Sequence, residues 1–147
     1  MNSILKLVIR YFSFLYDELG ARFVDSQVGS MDSALLVLEM RNLRLRFVND
    51  RGPIVLHFQS VDRAATNEWF SFDVLRQLIT GVVDDDGIMW GTIGGDPEVD
   101  HKKAARNAEF VKANIAEIAD AFSAARYSET EKTLHDYEEA RAKRLFG

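Results

Sequence analysis

Leu43-Arg44-Leu45-Arg46-Phe47-Val48-Asn49-Asp50-Arg51-Gly52-Pro53-Ile54-Val55-Leu56-His57-Phe58-Gln59 is the stretch that decides the fold of this chain. Its first part alternates, so a strand over Leu43 to Val48 turns Leu43, Leu45 and Phe47 inward and Arg44 and Arg46 outward. Asn49-Asp50-Arg51-Gly52 reads as a turn in which Gly52 takes positive φ at no steric cost. Pro53 permits entry to a strand but not its interior. Beyond it Ile54, Leu56 and Phe58 alternate against Val55, His57 and Gln59. Two alternating segments around a tight turn make an antiparallel hairpin.

The same pattern extends towards the N-terminus. Ser33 to Met40 places Ala34, Leu36, Leu38 and Met40 on one face, with Arg41-Asn42 as the turn into the next strand, and Arg22 to Val28 is a further candidate strand. The period changes before it. Leu5, Val8, Phe12, Leu15 and Leu19 recur at three and four residues, which predicts one helix over Ser3 to Leu19, capped by Asn2 or Ser3 and ended by Gly20. Ile9 and Tyr16 make its other face apolar too, so cover on two sides is expected.

On the C-terminal side, Glu68-Trp69-Phe70-Ser71-Phe72 leads into a short helix from Asp73, its plausible cap, to Thr80, with Gly81 as terminator. Residues 82–100 hold four glycines, Pro97, six acidic residues and Trp90, and read as the longest irregular segment. Such long loops are often functional. Ala104, Ala108, Val111, Ile115, Ile118, Phe122 and Ala125 then form an amphipathic stripe over 103–126. Ser128 with Glu131 resembles a capping box for a last helix carrying Leu134, Tyr137 and Leu145. The sum is one α+β domain over 1–147: an antiparallel meander of about four strands, with an N-terminal helix and two C-terminal helices packed on the sheet.

Composition narrows the chemistry. A length of 147 residues with 47% hydrophobic content supports one continuous core. There is no cysteine, which removes disulfides, thiolate metal sites and thiol nucleophiles, and suits a cytoplasmic location. Lys6 and Arg10 interrupt the apolar N-terminal run, and Asp17 and Glu18 follow it, so neither an export signal nor a membrane span is expected. The net charge of −5 lies wholly in residues 81–147, which carry fourteen acidic and nine basic side chains against nine of each before them. Such a half is a poor phosphate surface, arguing against direct nucleic-acid binding, and attracts a basic partner.

Catalytic patterns are missing from the sequence. There is no G-x-S-x-G or S-x-x-K context, and His57, His101 and His135 show no paired-ligand spacing, so neither a metal nor another cofactor is expected. Gly91-Thr92-Ile93-Gly94-Gly95 lacks the Lys-Ser/Thr of a phosphate loop and neighbours Asp96, Glu98 and Asp100. Aligning Asp84-Asp85-Asp86-Gly87 with a helix–loop–helix calcium site puts Val82 and Ile93 where oxygen ligands are required. What is left is a binding surface: Asp84, Asp85, Asp86, Met89, Trp90, Asp96, Glu98 and Asp100 combine apolar anchors with steering charges. For Ile88, Met89 and Trp90 a second reading stays open, in which they fold back on the core as a final strand. Arg44, Arg46 and Arg51 read as internal ion-pair partners or a solvated face.

Leu43 to Gly52, Glu68-Trp69-Phe70 with Phe72-Asp73 and Leu75, and the closing Arg141-Ala142-Lys143-Arg144-Leu145-Phe146-Gly147 together resemble a widespread family of small uncharacterised bacterial proteins. That family is similar to immunity proteins encoded beside polymorphic or contact-dependent toxins. The resemblance implies a non-catalytic protein that neutralises a cognate toxin domain by direct binding, and a basic nuclease is one such partner. Its motifs are structural, so no contact residue is carried over, and the loop 82–100 departs from the pattern. Two rival classes stand beside it: a small hydrolase or ligand-binding enzyme with carboxylates near His57 or His101, and a homo-oligomeric module built on the 103–126 helix.

Overall fold

The computed structural model describes residues 1–30, 33–49, 51–91 and 95–147. Asp50 of the expected hairpin turn, and Thr92, Ile93 and Gly94 of the glycine-rich run and the calcium-loop alignment, lie outside the described residues. The architecture is α+β. Four seven-residue strands, β1 (Arg22–Val28), β2 (Ala34–Met40), β3 (Leu43–Asn49) and β4 (Ile54–Ser60), form the antiparallel meander. Two short strands, β5 (Phe70–Ser71) and β6 (Ile88–Trp90), share the far edge of β4. The first runs beside His57 and Phe58, the second beside Ile54 and Val55.

Register follows from the alternation. Phe23, Leu38, Leu45, Phe58 and Phe70 fall in one cross-strand row, and Leu36, Phe47 and Leu56 in the next. Apart from the edge residue Phe23, all of these are buried. Helices α1 (Asn2–Tyr11), α3 (Phe72–Thr80), α4 (Pro97–Ala121) and α5 (Tyr127–Phe146) add Leu7, Val8, Phe72, Leu75, Val111, Ile118 and Leu134 to the same cluster. At the β3–β4 turn, Gly52 has φ +135° and its N–H donates to Asn49 Oδ1 at 3.0 Å. That bond explains why a buried position holds an asparagine.

The helices depart from their sequence periods in identifiable ways. The single helix expected over Ser3 to Leu19 is broken after Tyr11 and resumes as the one-turn α2 (Phe14–Asp17). Phe12, Phe14 and Leu15 are all buried, and on one straight helix Phe12 and Phe14 would project about 200° apart. The break lets both rings meet one core. Ile9, expected under cover, is 62% exposed. The short helix begins at Phe72 with Ser71 as its N-cap, and Asp73 sits inside the first turn. The long helix ends at Ala121, which leaves Ala125 exposed in a turn. The Ser128–Glu131 capping box does not form: the N-cap of α5 is Arg126, and the Glu131 carboxylate lies 3.4 Å from Arg63 Nε. Leu145 is exposed as well.

The segment 82–100 is not one long irregular loop. β6 crosses its middle, and α4 starts at Pro97 with Asp96 Oδ1 accepting from the Glu98 N–H at 3.0 Å. Proline at the first helical position with aspartate before it makes a strong local start signal. Among the described residues no helix is long and apolar enough to cross a membrane.

Candidate functional site

The aspartates of 84–86 face their own helices. Arg76 of α3 donates to the carbonyl oxygens of Asp84 and Asp86 at 2.9 and 2.8 Å, with the Asp84 carboxylate 3.3 Å away. Lys103 of α4 reaches the Asp86 carboxylate at 2.5 Å. Arg144 of α5 holds Asp85 in a two-pronged contact of 2.7 and 3.1 Å. Three cations on three helices therefore latch the segment that leads into β6. The Arg144 hydrogen bond holds the Asp85 carboxyl below the usual carboxylate range. Burial alone would raise Asp86, but the Lys103 hydrogen bond, the Ile88 N–H and the charges of Lys103 and Arg76 together bring it lower.

The other expected contact residues divide by burial. Met89 is 0% exposed and Asp100 4%, so the expectation that these two sit in an exposed loop is corrected: both belong to the interior. Trp90 is half-buried with its ring edge-on to His101, 4.7 Å between centroids. Asp96 and Glu98 are exposed at the start of α4, the first as its cap. The strand reading of Ile88 to Trp90 is the one realised.

A different surface gathers the residues that sequence reasoning left outside its site. On the sheet face turned away from the core, Leu35, Val48, Val55 and Ile88 occupy one cross-strand row, and Val37, Arg46, His57 and Ser71 the next. Glu39, Arg44 and Gln59 form a third. Apart from Val37 and Gln59 these side chains remain half-exposed. Trp69 lies across the rows: the Arg46 guanidinium is 4.5 Å from its ring centroid and that of Arg44 5.6 Å. Gln59, fully buried, accepts from Arg44 at 2.9 Å and donates to the carbonyls of Thr66 and Glu68 at 3.1 and 3.2 Å, fixing the segment that carries Trp69. Glu39 pairs with Arg22 at 3.0 Å and Arg44 at 3.5 Å, so of the three arginines expected in ion pairs Arg44 forms one within the sheet, while Arg46 turns to His57.

His57 belongs to this face. Arg46 Nη2 lies 3.0 Å from His57 Nδ1, and because the guanidinium can only donate, the imidazole accepts. Burial first, and the Arg46 charge second, lower the imidazole to about 4, so it is neutral at physiological pH and serves as a fixed acceptor.

His101 sits elsewhere, at a cleft of about 610 Å³ between α1 and α4. Tyr11 Oη is 2.5 Å from its Nδ1, and Lys6, Arg10 and Trp90 complete the rim. The hydrolase reading called for converging carboxylates, and the described lining of this cleft includes none. No protein-family model, curated protein or solved structure matches the chain.

Proposed function

We propose that this protein is a non-catalytic binding protein, and specifically that it neutralises a toxin domain by docking the outer face of its sheet against it. The observation that carries the reading is the half-exposed aliphatic row Leu35–Val48–Val55–Ile88 beside Trp69 and its two stacked arginines. Trp and Arg next to aliphatic side chains are the residues that dominate protein–protein binding energy, and a rigid sheet presents them with little entropy left to lose. Asp25 and Glu39 offset two of the three charges of Arg22, Arg44 and Arg46 on this face, so its contact is governed mainly by shape and apolar area.

Charge acts at longer range. The exposed Glu109, Glu117, Glu129, Asp136 and Glu139 of α4 and α5 are interspersed with exposed Lys102, Arg106, Lys112, Lys132 and Lys143. The chain nevertheless carries a net charge of −5, and that overall charge favours approach of a basic domain such as a nuclease. The toxin class comes from the resemblance of the β3 hairpin, the Trp69 segment and the C-terminal sequence to immunity proteins; the sheet face supports the mode of binding.

The test is growth of cells expressing the toxin domain encoded beside this chain's gene. The wild-type chain should restore growth, whereas Val48→Asp and Trp69→Ala, checked for native circular dichroism, should not. Failure of the wild type to bind or protect removes the toxin reading. Full protection by both variants removes the sheet face.

A further inference from the structure

We propose that Glu68, Glu131 and His135 form a binding site for one divalent first-row transition-metal ion, with Zn²⁺ the best-suited cation. This inference is independent of the partner proposed above. Glu131 and His135 are four residues apart on α5, one helical turn, and so project from one side of it. Glu68 arrives from the segment before β5, whose backbone is held by buried Gln59. One ligand atom from each of the three lies within 4.8 Å of the others, and His135 Nε2 is 3.2 Å from Glu68 Oε1. A cation bonded at about 2.0–2.2 Å needs its donors roughly 3–3.5 Å apart, a closure within the rotamer freedom of Glu131.

Two further observations point to a ligand. The first concerns the imidazole. Its Nδ1 faces the Glu138 carboxylate at 3.5 Å, and the Phe70 ring packs edge-on at 5.2 Å, so Nε2 is aimed at Glu68. A carboxylate behind the distal nitrogen is how metal-ligating histidines are held in the right tautomer. The second concerns Glu68: Oε1 is enclosed by protein and makes no hydrogen bond of good geometry, its near neighbour being His135 Nε2 at 3.2 Å, so a cation between the two would give both atoms a directed bond.

Three carboxylates, Glu68, Glu131 and Glu138, stand around the imidazole and its helix face. Arg63, 3.4 Å from Glu131 and stacked over the Tyr127 ring at 5.4 Å, is the cation already present, and at 43% side-chain exposure it can swing into solvent. The donor set of one imidazole nitrogen and two carboxylates favours Zn²⁺ over Mg²⁺ or Mn²⁺, and supplies too few oxygens for Ca²⁺. Three protein donors leave a position for water.

Calorimetric titration of the full, tag-free chain with Zn²⁺, and with Co²⁺ as an absorbing probe, tests the site. One ion per chain should bind. His135→Asn, Glu131→Gln and Glu68→Gln should each weaken it by at least about tenfold, Glu138→Gln by about tenfold, and His101→Asn not at all. Zn²⁺ should raise the melting temperature of the wild type and not of the His135→Asn chain, a comparison that also reports whether the variant folds. The absence of saturable one-to-one binding, or equal affinity in the His135→Asn and Glu131→Gln chains, overturns the proposal.

Discussion

His57 ties stability to pH. An unfolded histidine titrates near 6.5, while the folded imidazole is held at about 4 by burial and Arg46. The folded state therefore resists protonation that the unfolded state accepts. The contribution is whole above pH 6.5, falls as the pH drops, and is gone below about 4, a full span of about 3 kcal/mol. Urea denaturation between pH 7 and 4.5 should show that loss, and His57→Gln should flatten most of it. The depressed carboxyls of Asp85 and Asp86 act lower, below the usual carboxylate range, while the raised Glu138 carboxyl offsets part of the loss inside the window, so the comparison with His57→Gln isolates the histidine. Asp73 is the second sensitive residue. Its carboxylate is almost fully buried, accepts from Ser71 Oγ and stands 2.6 Å from Arg141 Nε, an ion contact off hydrogen-bond geometry. Asp73→Asn should cost about 2 kcal/mol in urea denaturation, less than a wholly buried pair because Arg141 retains access to water.

At the scale of elements, β6 and the β3–β4 turn meet in a close backbone contact. Gly91 has φ +87°, and a Cβ there would stand 3.0 Å from the Gly52 carbonyl oxygen and 3.1 Å from Pro53 Cα. Gly91→Ala meets both left-handed strain and a backbone clash, so it should cost about 1–3 kcal/mol and raise amide exchange in Ile88–Trp90. The meander was legible because strands of seven residues give alternation enough positions to repeat, and the inward–outward assignment of Leu43 to Phe47 follows directly. β6 was legible only as one of two open readings, since three residues define no period and its place depends on an edge of β4 that only tertiary structure supplies. The break after Tyr11 was hidden for a related reason. Leu5, Val8, Phe12 and Leu15 fit a helix, and the conflict shows only when Phe14 must share their core.

For the molecule as a whole, the question is which surface would meet the proposed partner. Asp84, Asp85 and Asp86 looked like a free acidic patch because nothing local reveals that Arg76, Lys103 and Arg144 converge on them from three helices. The outward direction of Arg44 and Arg46 was readable from alternation; the Trp69 ring beneath them, more than twenty residues along the chain, was not. If the helical acids steer the encounter, Glu117→Lys with Asp136→Lys should slow association about fivefold at low salt and converge with the wild type at high salt in stopped-flow measurements. The most direct measurement is amide hydrogen exchange on the chain alone and in the presence of the toxin domain it is proposed to bind. Docking on the outer sheet face predicts new protection across residues 35–37, 46–48, 55–57 and at Trp69. Protection confined to α4 and α5, with those strands unchanged, would contradict it.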